Sequence, residues 1–173
     1  PDVYVIVDPE VASIETLPAS WQTWRAGHTA PRLAVEVVSD DWRKDYDELP
    51  QRYAHLGVEE YIVFDPRAVA GDVRGGRVPL QRFERVEDGE DARLVRTHAG
   101  AGTVWSDVLG VWFTALLDGV LPWVRLARDA AGRDLVLSSA EAAAVERAQR
   151  LEAERRRGDA VAEGADFVKV FGN

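Results

Sequence analysis

The stretch Leu33–Val38, LAVEVV, sets one carboxylate, Glu36, inside an otherwise continuous apolar run. Such a run reads as a strand buried on both faces. A carboxylate within it needs a partner, because burying an unpaired charge is costly. Ser39 and Asp40 close the strand and can cap the helix after it. Tyr46, Leu49, Tyr53 and Leu56 then recur at spacings of 3, 4 and 3, which is helical. Pro50 inside that window predicts a kink or a late helix start, and Gly57 is a natural stop. Tyr61–Asp65, YIVFD, closed by Pro66, is a further strand. Strand, helix, strand with short links is the signature of a parallel crossover unit. The chain therefore predicts an α/β domain with a mixed sheet.

Around this unit the patterns are simpler. Asp2–Asp8, DVYVIVD, ends at Pro9 and predicts a strand, expected to lie parallel to Leu33–Val38. Residues 9–31 carry four turn-forming Pro and Gly residues, Pro9, Pro18, Gly27 and Pro31, and read as a loop with one short helical turn. Gln81–Glu87 and Ala92–Thr97 predict an antiparallel pair joined through Asp88–Gly89. Trp105–Leu117 is apolar and ambiguous. Leu121–Leu126 and Arg133–Leu137 predict a hairpin across Ala131–Gly132. Ser138 with Glu141 three residues on is a capping box, opening an Ala/Glu/Arg-rich helix expected to end near Arg157 at Gly158. The organisation expected is a domain over 1–137, a helix over 138–157 and a flexible tail over 158–173.

Composition excludes some chemistries. With 173 residues the chain is one domain of ordinary size, and with no cysteine it has neither disulfides nor cysteine-based zinc sites. No run of apolar residues is long enough to span a bilayer, and no signal peptide is visible; a cytoplasmic location is expected. The chain opens at Pro1 and runs directly into a strand, so upstream sequence is expected. The net charge of −9, from 30 acidic and 21 basic residues, is not the footprint of a strong nucleic-acid binder, although a local basic groove on an acidic body is compatible with it.

Asp2 and Glu36 carry the strongest chemical signal. Two carboxylates on neighbouring strands make a hard-cation site, typically for Mg²⁺. A structural salt bridge to an arginine explains Glu36 equally well. Asp8 and Asp65 sit at strand ends and are read as turn acceptors, and Ser39, Asp40 and Asp41 as capping residues. His28, His55 and His98 share no metal-ligand spacing. The tryptophans are not interleaved with basic residues and are read as packing groups.

The segments PDVYVIVDPE, PRLAVEVVSDD and YAHLGVEEYIVFDP resemble the Uma-type restriction endonucleases of bacteria, in the PD-(D/E)XK nuclease superfamily. The resemblance is close over residues 1–66 and looser to about Leu137. It implies a restriction-endonuclease-like core with a central mixed sheet, flanking helices and a C-terminal helix. It further implies Mg²⁺-dependent (or Mn²⁺-dependent) hydrolysis of DNA phosphodiester bonds, with Asp2 and Glu36 as metal ligands. The superfamily's water-activating lysine, two residues after the acid, falls on Val38, and the Uma-type lysine, four residues before Tyr53, falls on Leu49. Lys44 and Arg52 are the cations nearest that position and are the candidate substitutes. The alternative implied by Leu49 is a non-catalytic interaction module on a nuclease-like scaffold, associating, as a homodimer, through the C-terminal helix.

Overall fold

The computed structural model describes residues 2–7, 21–23, 28–88 and 91–170. Two units divide the chain, Pro1–Leu135 and Val136–Asn173. The first is built on a five-stranded sheet in the order β1 (Val3–Val5), β2 (Leu33–Val37), β3 (Glu60–Phe64), β4 (Leu80–Asp88), β5 (Asp91–Gly100). β2 and β3 run parallel, as the crossover pattern predicts. β3–β4 and β4–β5 are antiparallel, so the sheet is mixed.

The first strand departs from expectation. It covers Val3–Val5 and pairs antiparallel with β2, Val3 opposite Val35 and Val5 opposite Leu33. A helical crossover dictates a parallel return, whereas the long Pro- and Gly-punctuated connection from β1 to β2 leaves the direction open. Asp8 and most of residues 9–31 lie outside the described residues.

The β2–β3 crossover is helical in two parts, a wide π turn over Lys44–Glu48 continuing into α1 (Leu49–Leu56). Pro50 accounts for the join. Proline has no N–H and its ring would strike the carbonyl of Tyr46, four residues back, in a regular α-helix. Widening the preceding turn, with Leu49 N–H bonded to the Lys44 carbonyl, relieves that clash. The wide turn also buries the consecutive residues Asp45 and Tyr46. Gly57, at φ 88°, ends the helix in the left-handed conformation that its position predicts.

Two apolar layers flank the sheet. On the helix side, Ala34, Tyr61, Val63 and Phe83 pack under Tyr46, Leu49 and Tyr53. On the other side, Leu33, Val35, Ile62 and Leu80 meet Val104 and Phe113 of a second, antiparallel sheet, β6 (Val104–Ser106), β7 (Val111–Asp118) and β8 (Leu121–Ala127). The hairpin expected across Ala131–Gly132 is instead made by β7 and β8, turning at Gly119. Arg133–Leu137 contributes a single bridge, Leu135 to Ala127. The Asp129 carboxylate accepts the N–H groups of Arg133 (2.7 Å) and Asp134 (2.6 Å) and so holds this segment as a turn rather than a ladder.

Two ion networks are buried in this unit. Asp65 accepts both Arg77 guanidinium contacts at 2.8 Å, the Tyr46 hydroxyl at 2.9 Å, and the N–H groups of Arg67 and Ala68, capping the short helix α2 (Pro66–Val69). Burial, ahead of the Asp65 charge, pushes the Tyr46 hydroxyl up to about 12. On the opposite face, Glu60 accepts from Arg82 and from Ser106, each at 2.7 Å.

The second unit contains α3 (Ser139–Val170). Its capping box forms as expected: Ser138 N–H donates to Glu141 (2.7 Å) and Glu141 N–H to Ser138 Oγ (3.3 Å). The helix continues through Gly158, where the sequence predicted a stop and a flexible tail. One interior glycine costs only about 1 kcal/mol relative to alanine, which a long Ala- and Glu-rich helix tolerates. Among the described residues no helix is long and apolar enough to cross a membrane.

Candidate active site

The antiparallel pairing of β1 brings the two predicted carboxylates together. Extending the register by one residue from the Val3–Val35 pair sets Asp2 opposite Glu36. Directly opposed residues share a face, with Cβ atoms roughly 4.5–5.5 Å apart. Backbone groups lock the pair: Asp2 N–H donates to Glu36 Oε2 (3.3 Å) and Val37 N–H to Asp2 Oδ2 (2.7 Å). The Asp2–Glu36 proximity that the sequence anticipated thus arises from antiparallel pairing.

Glu36 is half-buried on the helix side of the sheet, where β2 emerges from the core and Val37 is already exposed. The Tyr53 hydroxyl, from α1, donates to Glu36 Oε1 at 2.7 Å. Burial, reinforced by that bond to an anion, raises the Tyr53 phenol well above its ordinary range, so it remains a donor. Tyr61 lies against Tyr53 with ring centroids 5.0 Å apart, and its hydroxyl donates to the Asp45 carbonyl at 2.8 Å.

Asp45 is the residue that sequence reasoning missed as a member of this neighbourhood. The periodicity placed it only at a helix start, while the π turn folds its side chain inward, to 4% exposure. Its carboxyl is raised above the usual range, chiefly by burial, with the charges of Glu36 and Asp2 adding; a long bond from Ser39 N–H (3.4 Å) and the Lys44 charge oppose the shift. An acid one residue after the only lysine of this segment, on a turn distorted by Pro50, was the available signal.

The candidate cations separate. Lys44 is exposed at the start of the π turn, close enough for its charge to reach Asp45. Arg52 pairs with Glu48 (3.2 Å), both side chains largely exposed, on a surface it shares with Asp47, Gln51 and His55. Tyr53, the next residue, is the one that reaches Glu36; Arg52 is turned about 100° away around the helix. Leu49 and Val38 are both buried in the helix-side core. Asp65 and Asp40 are engaged elsewhere, Asp65 as described and Asp40 with Arg67.

The donor set suits a hard divalent cation. Asp2 and Glu36 offer anionic oxygens on one face, and their backbone and phenol hydrogen bonds fix the carboxylates' orientation. Among the described residues no group of three or more His, Cys, Asp or Glu side chains is arranged to hold a metal. A pair could hold an ion such as Mg²⁺, which commonly takes one or two carboxylates and completes its shell with water and substrate phosphate.

A mixed sheet with a helical crossover on one side, a second sheet on the other and two acids at adjacent strand ends defines a restriction-endonuclease-like domain. A family model described as "Putative restriction endonuclease", Uma2, matches residues 1–106, and the chain belongs to that family. No curated protein matches it.

Proposed function

We propose that the chain is a DNA endonuclease domain whose Asp2 and Glu36 hold Mg²⁺ or Mn²⁺. The observation that carries the reading is the hydrogen-bonded juxtaposition of these two carboxylates at the exposed end of a buried strand. Bound there, the cation would lower the pKa of a water and offset charge developing on the phosphate. The chain's own residues have distinct tasks. Val37 N–H and Tyr53 O–H fix the angles of the two carboxylates. Lys44, exposed at the start of the π turn with its charge reaching Asp45, is the candidate to orient an attacking water, because an ammonium donates to it without accepting.

A second reading is favoured by one observation. Val38, at the superfamily's lysine position, and Leu49, at the Uma-type one, are both filled by core side chains. On that reading the scaffold is catalytically silent and acts as an interaction module through α3.

A metal titration divides the two. If the pair binds the ion, Mg²⁺ or Mn²⁺ at about 100 times its Kd stabilises the fold by about 2.7 kcal/mol, a rise in Tm of roughly 5–10 °C for a chain of this size. Glu36→Ala abolishes that rise and the accompanying nicking of supercoiled plasmid. No shift and no nicking in the wild type refutes the nuclease reading.

A further inference from the structure

Most described arginines of the first unit are tied to carboxylates, among them Arg32 to Glu59, Arg67 to Asp40, Arg74 to Asp72 and Arg82 to Glu60. Arg96 is different. It is exposed, and its guanidinium is held by a neutral group, Gln81 Oε1, at 3.1 Å. Its full charge is therefore available to an anion.

Its placement relates it to the carboxylate pair. Glu36 is opposite Val63, and Val63 is opposite Gln81, so Asp2, Glu36, Val63 and Gln81 form one row across the helix-side face. Two strand spacings of about 4.8 Å put Gln81 roughly 10 Å from Glu36. Arg96 stands opposite Phe83, on the same face, one strand further out. Gln81 is fully buried, and its Nε2 has no hydrogen-bond partner among the described residues. An apolar side chain would fill this position without that penalty. What the amide supplies is the acceptor that fixes Arg96. On the β2–β3 crossover, Arg43 lies over the Trp42 ring at 4.9 Å, with Lys44 next in the chain.

We propose that Arg96, positioned by Gln81, contacts a backbone phosphate of DNA a few nucleotides from the phosphodiester at Asp2 and Glu36. This rests on the nuclease reading. The phosphate contact gives an acidic protein a local attraction that its net charge of −9 would otherwise deny. Arginine suits the task because its planar fork matches phosphate oxygens and remains protonated.

The test is fluorescence anisotropy of a labelled duplex of about two helical turns, with Ca²⁺ present, over a series of salt concentrations. Arg96→Ala weakens binding several-fold and lowers the slope of log K against log salt by about 0.9, the loss of one phosphate contact. Arg96→Lys keeps the slope. Arg128→Ala, whose partner is Asp134, serves as the control and leaves the slope unchanged. Gln81→Leu, checked by circular dichroism to confirm folding, weakens binding while keeping the charge. A wild type that binds DNA with a slope unaltered by Arg96→Ala overturns the Arg96 assignment alone. A wild type with no metal-dependent DNA binding overturns both this assignment and the nuclease reading.

Discussion

Leu49→Lys is the most informative single change, because it tests whether the expected lysine position faces the carboxylates. Leu49 is 7% exposed and packed with Val38, Tyr53, Tyr61 and Phe83. Truncation to alanine would remove a well-packed side chain at about 2–5 kcal/mol. Lysine keeps most of the apolar stem, so its cost depends on where the ammonium goes. Leu49 and Tyr53 are four residues apart on α1 and share a face, and Tyr53 reaches Glu36. A lysine extending beside Tyr53 would enter a region already occupied by the charges of Glu36, Asp2 and Asp45. Paired there, it should cost about 1–2 kcal/mol, less than alanine; buried without a partner it should cost at least as much as alanine. At about 2–4 °C per kcal/mol, thermal melts resolve Leu49→Lys from Leu49→Ala. Plasmid nicking with Mg²⁺ then reports function, and the lysine variant should create or strengthen cleavage. A Leu49→Lys protein that melts at or below Leu49→Ala refutes the geometric reasoning. One that is folded and binds the cation without nicking refutes the idea that this lysine is the missing part.

Asp65→Asn keeps an acceptor for the α2 N–H groups but strips the counter-charge from Arg77, whose side chain is only 4% exposed. Breaking a buried pair in this way should cost about 3–5 kcal/mol, read by urea denaturation, and a loss below about 1 kcal/mol would show that the network carries little. Asp45→Asn should act in the opposite direction. The folded state raises the Asp45 pKa, chiefly by burial, so it binds the proton more tightly than the unfolded chain, whose carboxyl titrates near 3.9. The ionisation penalty is absent below about pH 4 and grows as pH rises through the folded value. The asparagine variant should therefore melt higher than the wild type at pH 7 and show a flatter dependence above about pH 4; a lower melting temperature at pH 7 would contradict this.

The features legible in the sequence are those set by local rules. The apolar run around Glu36, the 3–4–3 spacing of Tyr46 to Leu56 and the YIVFD strand each obey a period. The two strands and the helix between them therefore emerge correctly, including their parallel pairing. The direction of β1 does not, since nothing local to residues 3–5 records how the chain returns. The β7–β8 hairpin was missed for a related reason: Trp105–Leu117 is apolar without clean alternation, because β7 lies between two partners and presents apolar groups on both faces. For the site, Asp2 and Glu36 were recognisable by type and place. Asp45 and Tyr53 were not, because their roles depend on a π turn that Pro50 imposes and on which way it rotates the helix. Gly158 erred in the opposite sense: a residue permissive at a helix end is also tolerable inside a long helix.

The antiparallel edge position of β1 has a thermodynamic consequence. Asp2 hangs on a three-residue strand, Val3–Val5, that among the described residues pairs with β2 alone, and short edge elements are the parts of a fold that open at the lowest free energy. Each opening carries Asp2 away while Glu36, rooted in the core strand, stays. On the nuclease reading, the cation affinity would then be the intrinsic affinity multiplied by the fraction of molecules in which β1 is docked. By the same linkage, a cation held on that reading would slow hydrogen exchange at the Val3–Val5 amides bonded to β2, without changing exchange along β3.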